Sequence, residues 1–404
     1  MQGLFGYTDG AAISNLGVTD VEISGNWSVG GLVGFNNNDS SITNCYSTGS
    51  VMGNSGIGGL VGSNEQSSIS NSYSTGSVTG SGDYVGGLVG LNENESSISN
   101  SYSIGSVIGD SDVGGLLGSN NESYISNCYS TDSVTGNYHV GGLVGKNDNS
   151  SIYNSYSTGS VAGDSSVGGL VGHNYESFIN NSYSNGSATG DSDVGGLVGA
   201  NSSSPITNSY STGSVIGNDY VGGLVGYCEV TTTATACFWD MDTSGMSTSA
   251  GGAGKTTAEM LDITTYTAAG WDFMDETING TEDIWDIDLD WNDGYPFLYD
   301  TLVGIEEETN DQIPEPTHLI GNYPNPFNPT TTISFNVKNR ETARLEIFNI
   351  KGQLVKQYPA FTAGSHKIEW HGKNNNGKSV GSGVYFYRLS SGISKQTRKM
   401  LLLK

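Results

Sequence analysis

The sequence predicts an all-β protein: a right-handed parallel β-helix over residues 1–240, a cap over 241–303, an acidic linker over 304–318, and a small β-sandwich over 319–404. Three observations predict it. Gly30-Gly31-Leu32-Val33-Gly34 returns at Gly58, Gly86, Gly114, Gly141, Gly168, Gly195 and Gly222, at intervals of 28 and then 27 residues. The segments between glycines are short and carry no ten-residue apolar face at helical period. The last 85 or so residues alternate apolar and polar side chains between turns such as Lys351-Gly352 and Asn376-Gly377.

One unit holds about six apolar side chains, here Leu60, Val61, Ile69, Tyr73, Val78 and Val85. Such a unit buries them only by stacking on its neighbours. Two or three strands per unit are expected, with Ile69, Asn71 and Tyr73 on one face, and Leu32, Leu60 and Leu88 in one inward stack. The column Asn44, Asn71, Asn100, Asn127, Asn154, Asn181 and Asn208 is expected to be an inward amide ladder. Propeller blades need longer repeats, and leucine-rich repeats need a spacing this unit lacks.

These Gly-Gly-Leu-Val-Gly units with Ile-x-Asn-x-Tyr, over residues 1–245, resemble the GLUG repeats of bacterial secreted and surface proteins. Such repeats stand beside the peptidase domain of some immunoglobulin A proteases and in large adhesins. The resemblance implies an exported stalk or binding surface and brings no catalytic residues.

Residues 11–29 form an atypical unit, still patterned as strand. At the far end Cys237-Phe238-Trp239 enlarges the side chains where the stack must be closed against further pairing. In the cap a short helix is expected at Thr257–Leu261 with Thr256 or Thr257 as N-cap. Trp285, Ile287, Leu289 and Trp291 alternate with Asp286, Asp288 and Asp290, the pattern of a half-buried strand. Beyond the linker, strands are expected at Thr331–Val337, Ala343–Asn349, His366–Trp370, Gly383–Leu389 and Thr397–Leu403, six or seven in all.

This last region opens with Asn322-Tyr323-Pro324-Asn325-Pro326-Phe327-Asn328-Pro329 and continues through Ile347-Phe348-Asn349-Ile350-Lys351-Gly352 and Gly383-Val384-Tyr385-Phe386-Tyr387 to Lys399-Met400-Leu401-Leu402-Leu403-Lys404. It resembles the type A C-terminal sorting domain of the type IX secretion system, whose fold is similar to the immunoglobulin-like domain of the flagellar hook-capping protein. The resemblance implies an immunoglobulin-like β-sandwich and recognition by the secretion machinery through residues 319–404. Lys395, Arg398, Lys399 and Lys404 would be what the machinery reads, with removal of the domain near residues 304–320 and delivery to the medium or cell surface.

Charge divides the chain the same way. Residues 1–318 hold two basic residues, Lys146 and Lys255, against 38 acidic ones, whereas residues 319–404 hold 13 against three. An acidic rod repels nucleic acid. No 18-residue apolar run is present to span a membrane. Met1-Gln2-Gly3-Leu4 opens inside a repeat, so a signal peptide is expected upstream in the intact gene. Cys45 and Cys128 lie three coils apart, roughly 14 Å, beyond disulfide reach. Cys228 and Cys237 are the one pair that the last coil brings near, beside the alternative that all four thiols are free.

Catalytic chemistry is not motivated: the five histidines are scattered without metal-ligand spacing, and no acid–base pair stands out among the carboxylates. Ser249–Thr256 lacks the first glycine of a phosphate loop. Two columns invite binding. Thr48, Thr75, Thr131, Thr158 and Thr212 form a flat hydroxyl array. Asp83, Asp110, Asp112, Asp164, Asp191, Asp193 and Asp219 stand before the Gly-Gly pairs, where Ca²⁺ would relieve their repulsion. Asp286-x-Asp288-x-Asp290 opens like a calcium loop but places Trp291 where glycine is needed. The expected role is a non-enzymatic, monomeric, adhesin-like rod binding extracellular polysaccharide or host glycan. The alternatives are a polysaccharide-degrading β-helix enzyme and a purely structural stalk.

Overall fold

The computed structural model describes residues 1–229, 234–274, 278–288, 291–299, 318–323, 325, 327–337, 342–362, 364–391 and 394–403. The expected linker, the cleavage region ahead of His318, Leu289, Asp290 and Lys404 lie outside them, as does the side chain of Lys395. Two compact units divide the chain at residues 306 and 307.

The first unit is a parallel β-solenoid. Each coil ahead of Asp132 contributes four strands rather than two or three, for example Val33–Asn37, Ser41–Thr43, Tyr46–Gly53 and Ser55–Gly58. They join four parallel sheets in which every strand pairs with its equivalent one coil away. The interior has two channels. One holds Leu32, Leu60 and Leu88 with Val61 and Ile69; the other holds Val51, Val78, Val85 and Val113. Close backbone approach explains the paired glycines: a Cβ on Gly59 would meet the Ser74 hydroxyl and the Gly87 carbonyl oxygen of the next coil.

The expected asparagine column turns out to be the corner, not the interior. Asn44, Asn71, Asn100 and their equivalents adopt φ between 46° and 56°, a conformation asparagine tolerates. The turn shifts the alternation by one residue. Ser72 therefore points inward, fully buried, and Tyr73 points outward into a stack of rings running Tyr46, Tyr73, Tyr102, Tyr129, Tyr156, Tyr183 and Tyr210 at centroid separations of 4.8–5.1 Å. The inward amide ladder is a different column, two residues beyond the Gly-Leu-Val-Gly block of each coil up to Asn201. Asn36, Asn64, Asn92, Asn120, Asn147, Asn174 and Asn201 are buried and each amide nitrogen donates to the next carbonyl oxygen at 2.7–3.0 Å.

All four cysteines are free. Cys45, Cys128 and Cys237 replace the inward serine, and their thiols reach the same carbonyls that serine hydroxyls reach elsewhere. Burial pushes the Cys128 and Cys237 thiols up to about 12.

Asp132 replaces the glycine of the Ser-Thr-Gly-Ser block. Before it the strand is continuous, as in Tyr102–Ile108; from there on it is split, as in Tyr129–Ser130 and Ser133–Thr135. Its carboxylate is buried, and desolvation raises its pKa to about 6, against lowering hydrogen bonds from Ser103 and Ser130. A folded-state pKa above the ordinary 3.8 means the folded protein holds this proton more tightly. The associated stability is full below pH 3.8 and lost as pH rises through about 6. Asp132→Asn should therefore raise stability at pH 7.5 by about 2–3 kcal/mol and change it little at pH 3.5, measured by urea unfolding at both pH values.

Residues 234–299 close the far end. Asp240 caps Met241–Ser244, and Thr256 and Glu259 form a capping box on Thr257–Met260. Ala253–Lys255, in the glycine loop, adds a parallel strand to Phe238–Asp240, and the Ser249 hydroxyl accepts from Leu224 and Val225, so this loop serves the stack's end. Trp271, Trp285, Tyr266 and Phe273 pack on Tyr183 and Tyr210, covering the last rings of the tyrosine stack. The expected strand through Trp291 is shorter than the alternation suggests: it spans Trp285–Asp286, and Trp291 is exposed ahead of a tight turn.

Among the described residues of the second unit, seven antiparallel strands form two sheets, one of His318–Tyr323, Thr331–Val337 and Gly364–Trp370, the other of Arg344–Asn349, Leu354–Gln357, Gly383–Ser391 and Ser394–Leu402. Phe335, Leu345, Ile347, Trp370, Tyr387 and Met400 share its core. His318, expected in the linker, begins its first strand, and Arg398 and Lys399 lie on its last.

Candidate functional site

The outward positions of the solenoid repeat serine, threonine and asparagine, so departures from the repeat stand out. Several lie between residues 112 and 178. In the column that runs Ala12, Ser41, Ser68, Ser97, Tyr124, Ser151 and Phe178, two places are aromatic. Two residues along the same face, Tyr153 interrupts Thr43, Ser70, Ser99 and Ser126. These rings are 49%, 46% and 39% exposed for Tyr124, Phe178 and Tyr153. In the tyrosine stack, by contrast, each ring turns its faces to its neighbours.

Tyr153 also lines a cleft of about 410 Å³ with Asn154, Asn180, Asn181, Glu282, Ile284 and Leu298. The corner and the cap meet there, and the side-chain oxygen Oδ1 of Asn181 is buried without a partner. Aromatic faces beside amides and a carboxylate can take a ligand with apolar C–H surfaces and many hydroxyls.

Around the neighbouring corner lies a polar cluster. Asp112 and His139 occupy a column with positive φ, 52° and 49°, next to the column holding Lys146 and His173. His139 Nδ1 is 2.6 Å from Asp112 Oδ1, and Lys146 Nζ is 2.9 Å from Asp148. The rings of His139 and His173 are 4.9 Å apart. Burial first, then the charges of His139 and Lys146, lowers His173 to about 4, so it is neutral near pH 7. Burial works against the Lys146 charge, but Asp148 and Asp112 outweigh it and raise its pKa. The scattered sequence positions of these histidines hid their proximity; a 27-residue offset in the repeat frame brings them together.

The aspartates expected before the Gly-Gly pairs fall into three separate columns, because Asp83, Asp110 and Asp112 point to different places in the same corner. Asn137 and Asn218 interleave among them and donate to Asp110 and Asp191 at 2.6 and 3.1 Å. Among the described residues no three His, Cys, Asp or Glu groups are arranged to hold a metal ion. The threonine column lies outward beside the tyrosines, with Ile104 in register with Thr75. No described helix is long and apolar enough to cross a membrane.

Comparison with known proteins assigns both units. Residues 25–52, 53–79, 81–108, 136–162 and 190–216 match the GLUG motif. Residues 322–403 match the secretion system C-terminal sorting domain. No curated protein matches the sequence. Among solved structures, dimeric latent PorU from Porphyromonas gingivalis is 20% identical with a TM-score of 0.19, over 27% of this chain and 10% of that one. PorZ, a surface component of the type IX secretion system of the same organism, is 16% identical with a TM-score of 0.18, over 30% of this chain and 16% of that one. This chain thus spans a tenth and about a sixth of their lengths. A candidate immunoglobulin A1 protease from Bacteroides ovatus is 21% identical with a TM-score of 0.36, over 72% of this chain and 76% of that one. Likenesses at these scores add nothing to the fold described above. The repeats and the tail together make this a secreted or cell-surface protein: a GLUG-repeat β-solenoid carrying a type IX sorting domain at its C-terminus.

Proposed function

We propose that the exported solenoid is a non-enzymatic glycan-binding module, and that Tyr124, Tyr153 and Phe178 form its platform. The observation that supports this most is the exposure of three aromatic rings on a face built mainly of small polar side chains. Sugar rings stack their C–H faces on such rings, while Asn154, Asn180 and Glu282 in the adjoining cleft meet hydroxyls. Successive coils repeat the outward polar columns at roughly 4.8 Å, so a polymer makes many weak contacts in register. With 38 acidic residues against two basic ones in residues 1–318, the rod favours neutral or cationic polysaccharide over polyanions. The sorting tail is the element that engages the secretion machinery, and the exported rod acts as a monomer.

The test is a screen of the intact chain against neutral, amino-sugar and uronate polysaccharides, with Ca²⁺ and with chelator, while reducing ends are followed. Saturable binding to neutral or amino-sugar polymers without product is expected. Product formation would transfer the case to a degradative enzyme, and absence of binding would leave a structural stalk.

A further inference from the structure

Residues 1–240 contain three side chains able to carry positive charge, and all three gather in one place. They are Lys146, His139 and His173. Solvating an acidic surface does not require such convergence. The arrangement within the cluster is also ordered. Asp112, itself largely buried, holds His139 through Nδ1 at 2.6 Å, which leaves Nε2 with its lone pair free. This is the carboxylate–imidazole pairing that orients histidine ligands in metal sites. His173 packs against the same ring, 4.9 Å away and tilted by 35°. Its Nδ1 is buried and has no hydrogen-bond partner, an unmet polar atom that a bound ion would satisfy. Lys146 is held by Asp148 at 2.9 Å.

We propose that His139 and His173 form a surface site for a borderline divalent transition ion, Cu²⁺, Ni²⁺ or Zn²⁺, with Asp112 as the residue that orients His139. Imidazole donors suit these ions rather than Ca²⁺, which takes oxygen ligands. No third His, Cys, Asp or Glu ligand converges among the described residues, so water or a ligand oxygen fills the remaining positions. The site is independent of the glycan platform, which lies across the Tyr175–Phe178 corner.

The experiment is titration of the full chain with Cu²⁺ and with Zn²⁺ alone at pH 7, by calorimetry and by electron paramagnetic resonance of the copper complex. The wild type and the variants His139→Ala, His173→Ala, His139→Ala/His173→Ala and Asp112→Asn are compared. One site with coupling to two imidazole nitrogens is expected, falling to one nitrogen and at least about tenfold weaker affinity in either single variant. Asp112→Asn should keep both nitrogens and bind about 10–100-fold more weakly. His318, His366 and His371 remain in every variant, so any binding they contribute survives in the double variant and is subtracted. Circular dichroism of each variant shows whether the solenoid is intact. A double variant that folds and titrates like the wild type would overturn the proposal, as would a wild type without nitrogen coupling from this pair.

Discussion

Leu88→Asp will lower the unfolding free energy of the solenoid by more than about 5 kcal/mol, the range reached when a charge is buried without a partner. Leu88 is fully buried. Its backbone N–H donates to Leu116 and its carbonyl accepts from Leu60, both at 2.9 Å, so the side chain is held between two other leucines. A carboxylate there has only Leu60, Leu116, Val61 and Ile98 and similar groups around it in the same core. Because coils depend on their neighbours, the break should divide the array rather than remain local. Urea unfolding followed by circular dichroism reads it as a lost or split transition. Ser70→Asp, outward and half-buried, should stay within about 0.5 kcal/mol of the wild type. Equal behaviour of the two variants would reject the inward stack.

Asn92→Ala should cost about 3–5 kcal/mol by the same measurement, because it removes an acceptor and a donor at once. The Asn64 amide loses Asn92 Oδ1 at 2.8 Å but retains the Ser67 carbonyl, while Asn120 Oδ1 loses its donor at 2.9 Å. Both neighbours are fully buried, and water cannot replace the missing amide without a polar cavity. Asn71→Gly, at the corner, should cost less than about 1 kcal/mol, since glycine adopts the same positive φ. A larger loss at Asn71 than at Asn92 would contradict the assignment of corner and ladder.

The comparison of these two asparagines shows how far the sequence could be read. The period, the stacked leucines and the β-solenoid were legible because burial of Leu32, Leu60 and Leu88 needs only the repeat frame. Which amide column faces inward was not, because simple alternation fails where Asn71 turns the corner and places Ser72 inside. The signal was nonetheless present: an asparagine recurs two positions after Gly-Leu-Val-Gly in every coil from Asn36 to Asn201. Tyr124, Tyr153 and Phe178 were visible too, as three bulky residues in columns of mostly small polar side chains. Pattern-matching favoured what repeats, whereas these residues are exceptions to it. His139 and His173 needed the coil offset, since 34 residues separate them in the chain and 4.9 Å between rings in the fold.

The proposed glycan platform is tested most directly by affinity electrophoresis of the full chain through gels containing a polysaccharide that the wild type binds. The comparison is Tyr124→Ser/Tyr153→Ser/Phe178→Ser, which restores repeat-like small side chains and leaves the buried columns untouched. Each stacked ring is worth about 0.5–1.5 kcal/mol, so affinity should fall at least about tenfold while the thermal transition is unchanged. Retardation equal to that of the wild type, in a variant that is folded, would contradict the account.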